Sequence, residues 1–353
     1  MRHRNMLTAG LLLACVATAS LAQDTDCPVL ADAPTLDCVA SPQGWFYAAS
    51  PDAAKQMAED AALAAQSFIT YFGRPAPRGA LIAADAGQAI SDADRHTLTS
   101  AGAVWQLPWL DADGRRALQR SAVERQLRAR MPDLDEAQLQ ARIDAALPAS
   151  AAAAPDNAVD RSSLRHEIGH MLLIRSFWPV PETAAATSAH YGGPGPDWLD
   201  ELAAVLMESD TMSDARREKL HAPEASTHLK PLAAFFAMPH PMVARMAELT
   251  AHGPGAHLIS GQDAKRLAGD ATWFYVQARG VADFLLAPGD DPAVFGSIAA
   301  FLADGGDMDG WLAAHGAQYG LPASIAALGA AWTQWLAAPA PSPAPETDAA
   351  QAR

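Results

Sequence analysis

The sequence predicts an α+β protein that is predominantly helical. Hydrophobic residues make up 50% of its 353 residues, which is enough for a sizeable core. Alanine is abundant and favours helix wherever glycine and proline are absent. Short strand-like runs occur before residue 110, whereas helical patterns dominate after residue 157. We therefore expect a small sheet in the first part of the chain and a helical second part.

The N-terminus has the features of an export signal. Two arginines among the first four residues precede an apolar run over residues 6–19, and the small residues of Ser20-Leu21-Ala22 suit cleavage. We expect residues 1–22 to be a signal peptide and the mature chain to be periplasmic or secreted. A membrane anchor is an alternative, but the run is short for a bilayer core of about 30 Å. Residues 12–15 loosely resemble a lipobox, so a lipoprotein anchored through Cys15 is a second alternative.

Removal of the signal peptide would leave two cysteines, Cys27 and Cys38. An exported chain meets an oxidising environment, so we predict that they form a disulfide bond. In a reducing cytosol they would instead be two free thiols. Two cysteines without a nearby histidine do not make a zinc site.

Residues 23–110 are expected to form an N-terminal α+β part that includes the disulfide loop. A helix is predicted over residues 52–72, where an apolar stripe ends at a glycine followed by a proline. Strands are predicted at residues 44–47, 80–83 and 102–107, and a polar turn region separates the last two.

Residues 111–156 are interpreted as a charged helical insertion followed by a linker. Arginine and glutamate are concentrated in residues 113–146, and Met131-Pro132-Asp133 interrupts them, which predicts a solvated helical hairpin. The tract of alanine and proline over residues 148–156 is typical of a flexible connector.

The remaining chain is predicted to be a helical part, residues 157–338, and a Pro-rich disordered tail, residues 339–353. Glycines and prolines between residues 179 and 196 separate its first two helices. Apolar periodicity predicts helices at residues 160–177, from residue 197, and at residues 241–250, 270–286, 292–303, 308–315 and 322–337.

The charge balance excludes one class of partner. A net charge of -15, from 40 acidic and 25 basic residues, disfavours binding to phosphates or anionic lipid headgroups. We expect no nucleic-acid partner and, after removal of the leader, no integral membrane segment.

One predicted helix carries the strongest chemical signal of the chain. His166, Glu167 and His170 form a His-Glu-x-x-His pattern, in which residues four apart point the same way and two imidazoles can share one metal ion. The alternative is a helix with two surface histidines. Apolar residues on most sides of the helix disfavour that alternative, namely Leu164, Ile168, Met171, Leu172 and Ile174. We therefore predict a zinc site.

A catalytic zinc ion takes three protein ligands and keeps one position for water, so a third donor is needed downstream. The available donors are His190, Asp200, Glu201 and Glu208. We expect Asp197 and Asp200 to cap and charge-match the first turn of a helix instead. The other histidines lie singly near proline or glycine and are interpreted as surface or loop residues: His221, His228, His240, His252, His257 and His315.

The His-Glu-x-x-His pattern followed by Trp198-Leu199-Asp200-Glu201 resembles the gluzincin metallopeptidases, which include the large zinc aminopeptidases. The resemblance implies that His166, His170 and Glu201 bind Zn²⁺. Leu202 stands where that family usually has glycine. The likeness spans roughly residues 45–337 without the charged insertion, and it implies a small mixed N-terminal sheet, a zincin active-site helix and a helical C-terminal lobe.

The segment over residues 272–278 is similar to the tyrosine-bearing helix that follows the third ligand in these peptidases. The resemblance implies that Tyr275 supports the oxyanion. The alternative is that Tyr275 is a core aromatic beside Trp273 and Phe274.

The expected function is therefore hydrolysis of a peptide or protein substrate by zinc-activated water, with Glu167 as the general base. Leu202 leaves room for a second class of function, a non-catalytic periplasmic module that holds zinc and serves binding or assembly. A third possibility is a zinc hydrolase that acts on a non-peptide amide or ester.

Overall fold

The computed structural model of the chain describes residues 26–83, 90–147, 157–179, 193–251 and 261–338. The predicted signal peptide, Cys15, the 148–156 connector, His190 and the C-terminal tail lie outside the described residues, as do His252 and His257.

A four-stranded mixed sheet occupies the first part of the chain, as predicted. Its strands lie in the order β1 (Asp37–Ser41), β2 (Gly44–Ala48), β3 (Gly79–Ala83) and β4 (Trp105–Trp109). The first pair is antiparallel and joined by a short turn, while the other two pairs are parallel. Parallel neighbours need a crossover connection, and two helices supply them: α1 (Pro51–Phe72) and α2 (Asp92–Ser100).

Two of these elements differ from the sequence-based prediction. Strand β1 was not predicted, and α2 lies where a polar turn region was expected. Helix α2 is short and polar and buries only Asp94 and Leu98, so it has little apolar periodicity to reveal it. The predicted disulfide between Cys27 and Cys38 is confirmed.

Both faces of the sheet are covered. On one face, Phe46 and Leu81 join the large core that continues into the helical part. On the other, Trp45 and Ile82 pack with Leu98 in a smaller core beneath α2. A sheet that is buried on both faces requires apolar residues at successive positions, which explains why β2 and β3 read as continuous hydrophobic runs.

The charged segment forms the expected helical hairpin, from α3 (Ala112–Arg130) and α4 (Glu136–Ala146). The hairpin is not solvated throughout, however, because Leu139 and Ile143 of α4 are buried. Apolar side chains three to four residues apart give α4 one face that packs inward.

The rest of the described chain is helical, which confirms a predominantly helical α+β fold. The helices predicted in this part are present, although the one expected at residues 270–286 begins earlier. The elements are α5 (Asn157–Phe177), α6 (Asp197–Met207), α7 (Asp210–Leu220), α8 (Ala225–His228), α9 (Leu232–Ala237), α10 (Pro241–Ala251), α11 (Gly261–Leu286), α12 (Ala293–Ala303), α13 (Met308–His315), a 3₁₀ turn (Gly316–Tyr319) and α14 (Ile325–Ala337).

Helix α6 lies at the centre of the helical part, and every one of its residues is buried. It packs against α5 on one side and α11 on another. Helix α1 is joined to α5 by an ion pair in which Arg161 donates to both carboxylate oxygens of buried Asp60, at 3.0 and 3.1 Å. Helix α1 and strand β4 thus pack against α5 and support it.

Helices α7 and α11 are tied by a second charged cluster. Asp283 accepts hydrogen bonds from Arg217, at 2.9 Å, and from Arg279. Burial raises the pKa of Asp283, but the two guanidinium groups outweigh it and lower the pKa below its usual range. None of the described helices combines the length and the apolar character needed to cross a bilayer.

Candidate metal centre

Helix α5 presents two histidines toward α6. His166 and His170 lie one helical turn apart, with ring centroids 4.9 Å apart and ring planes 82° apart. Only 8% of His166 and 2% of His170 is exposed. The surface-histidine alternative is therefore wrong, because both rings are buried between helices.

Gly169 lets α5 and α6 approach closely at this point. A Cβ atom on Gly169 would lie 2.8 Å from Cα of Ala204 and 2.9 Å from Cγ of Met207. These distances are well inside normal carbon contacts of about 3.5–4.0 Å, so no side chain larger than hydrogen fits without moving a helix. The close approach brings Glu201 of α6 beside the two histidines.

Glu201 completes a group of three donors that could hold a metal ion. One donor atom from each of His166, His170 and Glu201 lies within 4.8 Å of the other two. Nε2 of His166 is 3.4 Å from Oε2 of Glu201, and Nε2 of His170 is 3.8 Å from Oε1. Two donors at about 2.0–2.1 Å from a tetrahedral zinc ion lie about 3.3 Å apart, so the spacing fits shared coordination.

The Glu201 carboxylate itself points to a cation. Glu201 is 1% exposed, and neither of its oxygens makes a hydrogen bond to a described residue. Its oxygens contact ring nitrogens of His166, His170 and His240, at 3.3–3.8 Å and without hydrogen-bond alignment. Burial raises the pKa of Glu201, but the positive charge of the neighbouring histidines outweighs it and lowers the pKa below its usual range. A metal ion bound between Glu201 and the histidines would give this buried carboxylate a directly coordinated cation.

Two further carboxylates contact the histidines at their other ring nitrogens, and the contact of Glu208 with His166 has hydrogen-bond geometry. Oε1 of Glu208 lies 2.9 Å from Nδ1 of His166, and Oδ1 of Asp200 lies 3.0 Å from Nδ1 of His170. Metal-binding histidines typically donate their second ring N–H to a carboxylate, which fixes the tautomer and leaves Nε2 for the metal. Asp200 and Glu208 thus lie on the far side of the histidine rings, whereas Glu201 lies beside their Nε2 atoms.

This arrangement corrects one expectation about α6. Asp197 and Asp200 do not cap the helix, since residue Pro196 precedes its first turn and no side-chain cap is formed. Both aspartates are instead buried, and Asp200 contacts His170. Both aspartates do lie in the first turn, as expected from the charge preference of a helix N-terminus, but their side chains are buried and neither caps the helix.

The carboxylates around the two histidines raise the pKa of both rings. Burial lowers the pKa of His166, but Glu201 and Glu208 outweigh it and raise the pKa to about 10. Burial likewise opposes protonation of His170, yet Asp200 and Glu201 raise its pKa to about 9. In both cases, carboxylates in a water-poor environment favour a positive charge between them, and a divalent metal ion could supply that charge without protons.

One of the two predicted catalytic residues contacts a donor, and the other is next to a donor in sequence. Glu167 follows His166 on α5, its side chain is partly exposed, and no described residue forms an ion pair with it. The ring of Tyr275 on α11 lies 5.4 Å from the ring of His166. Arg216, which pairs with Glu208, lies over the face of the Tyr275 ring at 5.1 Å. Tyr275 thus lies beside the candidate donors and also packs against the core that contains Trp273 and Phe274.

His240 is the residue of this site that sequence reasoning missed. It was interpreted as a surface or loop residue, but it is completely buried, with Nε2 3.3 Å from Oε1 of Glu201. Burial lowers its pKa, so the ring favours the neutral form. Pro239 and Pro241 on either side do place it in a loop, between α9 and α10, as their restricted backbone predicts. What the sequence did not reveal is that this loop folds against α6.

Comparison of the chain with protein-family models, with curated proteins and with solved structures gives no match. The resemblance to gluzincins therefore stays a prediction. The evidence for a function is the arrangement of His166, His170 and Glu201.

Proposed function

We propose that this protein is an exported, zinc-dependent peptidase. The observation that carries the proposal is the buried group of His166, His170 and Glu201, in which the Glu201 oxygens have no hydrogen bond to a described residue. The His-Glu-x-x-His pattern adds Glu167 directly beside this group.

Zinc is the metal that best suits the donors. Two imidazole nitrogens and one carboxylate oxygen are the ligand set of catalytic zinc in several hydrolase families, with the fourth position left for water. Sites for Mg²⁺ or Ca²⁺ are built mainly from oxygen donors, and their coordination numbers are higher. When bound, zinc lowers the pKa of its water toward about 7 and polarises a carbonyl group.

Residues of the chain would transfer the proton, stabilise the developing negative charge and position the histidines. Glu167 accepts the proton of the attacking water and passes it to the leaving amine nitrogen. Tyr275 donates a hydrogen bond to the carbonyl oxygen as negative charge develops there. Asp200 and Glu208 keep the two histidine rings in place, and the Arg216 guanidinium holds Glu208. The products are two shorter peptides.

The decisive experiment compares metal content with cleavage. Zinc per chain is measured for the wild type, for Glu167→Gln, and for Glu224→Gln, a matched control in which an exposed glutamate is changed. All three are incubated with a broad peptide library, and products are identified by mass spectrometry. We expect full zinc in all three, cleavage by the wild type and by Glu224→Gln, and a loss of at least about 100-fold in Glu167→Gln.

Other results would overturn parts of the proposal. If Glu167→Gln cleaves as well as the wild type, Glu167 is not the general base. If the zinc-loaded wild type cleaves no peptide, a zinc-holding binding or assembly module becomes the better interpretation. Hydrolysis confined to small esters or non-peptide amides would indicate the third class of function.

A further inference from the structure

His240 lies where it can act on the third donor, Glu201, without itself binding the metal. It belongs to the loop between α9 and α10, which is distant in sequence from both α5 and α6. Its ring is fully buried, and it lies against two aromatic rings of α11, with centroids 5.2 Å from Phe274 and 5.8 Å from Tyr275. These contacts leave the ring little freedom to rotate.

The loop is anchored to the same helix that carries Glu201. The backbone N–H of His240 donates to Oδ2 of Asp197, at 2.6 Å. Asp197 and Glu201 are four residues apart on α6, so they lie on one face of the helix. His240 therefore meets α6 at two successive positions, through its backbone at Asp197 and through its ring at Glu201.

The hydrogen bond at the other ring nitrogen decides what Nε2 can do. Nδ1 of His240 accepts the backbone N–H of Met242, at 3.2 Å. A neutral imidazole whose Nδ1 accepts a hydrogen bond carries its proton on Nε2. Nε2 then has no lone pair to offer to a metal ion, and it lies 3.3 Å from Oε1 of Glu201.

Few other nitrogen atoms in the described part of the chain lie close to Oε1 of Glu201. Among the described residues, the other close nitrogen is Nε2 of His170, at 3.8 Å, and that atom is a candidate metal donor because Asp200 contacts Nδ1 of the same ring. A carboxylate that binds a metal usually takes a hydrogen bond on its free oxygen. His240 is the described residue placed to supply it.

We propose that His240 is a positioning residue that donates from Nε2 to Oε1 of Glu201 and leaves Oε2 to bind the metal. In the structure the two atoms are 3.3 Å apart without hydrogen-bond alignment, and we expect the hydrogen bond to form when the carboxylate reorients on metal binding. The proposal rests on the metal binding of the proposed function, but not on peptide cleavage.

The test measures metal binding without any substrate. His240→Leu removes the donor and keeps a buried apolar side chain, whereas His240→Gln keeps an N–H donor of similar reach. His315→Leu is the matched control, because His315 packs against Phe301 and Trp311 away from the site. The Zn²⁺ dissociation constant is measured by competition with a chromogenic chelator, and the visible spectrum is recorded for each protein loaded with Co²⁺.

We expect His240→Leu to bind Zn²⁺ about 10- to 100-fold more weakly and to show a shifted Co²⁺ spectrum. His240→Gln should recover most of the affinity and the wild-type spectrum, and His315→Leu should be unchanged. Circular dichroism checks that each variant is folded, and the glutamine variant keeps the test valid if the leucine variant is not.

Three results would overturn the proposal. Wild-type affinity in both His240 variants would show that His240 does not act on the site. Equal weakening in both would show that the ring contributes packing and not a proton. A loss far beyond 100-fold, with a Co²⁺ spectrum that indicates one nitrogen fewer, would make His240 a ligand. A failure to cleave peptides leaves these outcomes unaffected, so the two proposals can fail separately.

Discussion

Replacement of Gly169 by alanine should weaken both the fold and the metal site. In most helix interiors this change stabilises by about 0.5–1 kcal/mol, because glycine loses more backbone entropy on folding. At Gly169 the added Cβ would lie 2.8 Å from Cα of Ala204, which is backbone and cannot rotate away. To reach a normal contact of about 3.5 Å, α5 and α6 must separate by about 0.7 Å.

The change in stability is the difference between the cost of overpacking and the gain in helix propensity. Overpacking of this kind costs about 1–3 kcal/mol, which exceeds the gain in helix propensity. We therefore expect a net loss of about 1–2 kcal/mol in the free energy of unfolding. Metal sites tolerate changes of about 0.2 Å in ligand distances, so a separation of 0.7 Å between the histidines and Glu201 should weaken Zn²⁺ binding by at least about tenfold.

The assay pairs urea denaturation with chelator competition, and it has an internal control. Gly329 lies inside α14, where an added Cβ meets no atom within 4 Å. Gly329→Ala should stabilise the protein by about 0.5–1 kcal/mol and leave Zn²⁺ affinity unchanged. If Gly169→Ala were as stable as Gly329→Ala and bound Zn²⁺ like the wild type, close packing of α5 on α6 would not be what assembles the site.

Three further predictions follow from other contacts. Asp200→Asn should weaken Zn²⁺ binding about 10- to 100-fold by loosening the ring of the histidine it supports, and unchanged affinity in chelator competition would contradict this. Arg161→Met strands a buried carboxylate on α1 and should cost about 2–3 kcal/mol in urea denaturation, whereas Arg128→Met breaks only exposed pairs and should cost under about 1 kcal/mol. Because the pKa of Asp283 is lowered, its stabilisation is present above pH about 4 and is lost as the pH falls further. The difference in unfolding free energy between wild type and Asp283→Asn should therefore shrink below pH 4, and a constant difference would argue against this ion cluster.

The parts of the site that sequence predicted are those with local signals. The two histidines and Glu167 lie within five residues of one helix, and their spacing is enough to place them on it. Glu201 was predicted as the third ligand from the Trp198-Leu199 pair that precedes it. The spacing between His170 and Glu201 says nothing about distance in space, and their meeting depends on Gly169.

The roles that escaped prediction depend on tertiary packing: Asp200 and Glu208 were considered as zinc donors and not as partners of the histidine rings, and His240 was interpreted as a surface or loop residue. Glu208 and His240 reach the site from a helix end and a loop, where no periodicity marks a side chain as buried. Asp200 has the features of a helix-capping residue until α6 is seen to be buried on all sides. A histidine between two prolines, as in Pro239-His240-Pro241, is a signal that could have been used, because the prolines make its loop rigid enough to hold a ring in place.

The secondary structure was likewise predicted only where the sequence carries a local signal. Helices α1 and α5 were predicted because an apolar stripe and clear stop signals mark them. Helix α7 was not predicted, since its sequence is highly charged and buries only Ser213 and Leu220. Strand β1 lies at the sheet edge and is only partly buried, so it lacks the apolar alternation that marks a half-buried strand.

We propose that His166, His170 and Glu201 together hold one zinc ion. Crystals of protein purified without chelators would test it most directly, through anomalous scattering recorded on both sides of the zinc absorption edge. We expect one peak bonded to Nε2 of His166, Nε2 of His170 and an oxygen of Glu201, at about 2.0–2.2 Å from each. A zinc peak bound instead through Glu208 or His240, or no peak between α5 and α6 in zinc-saturated crystals, would contradict the account.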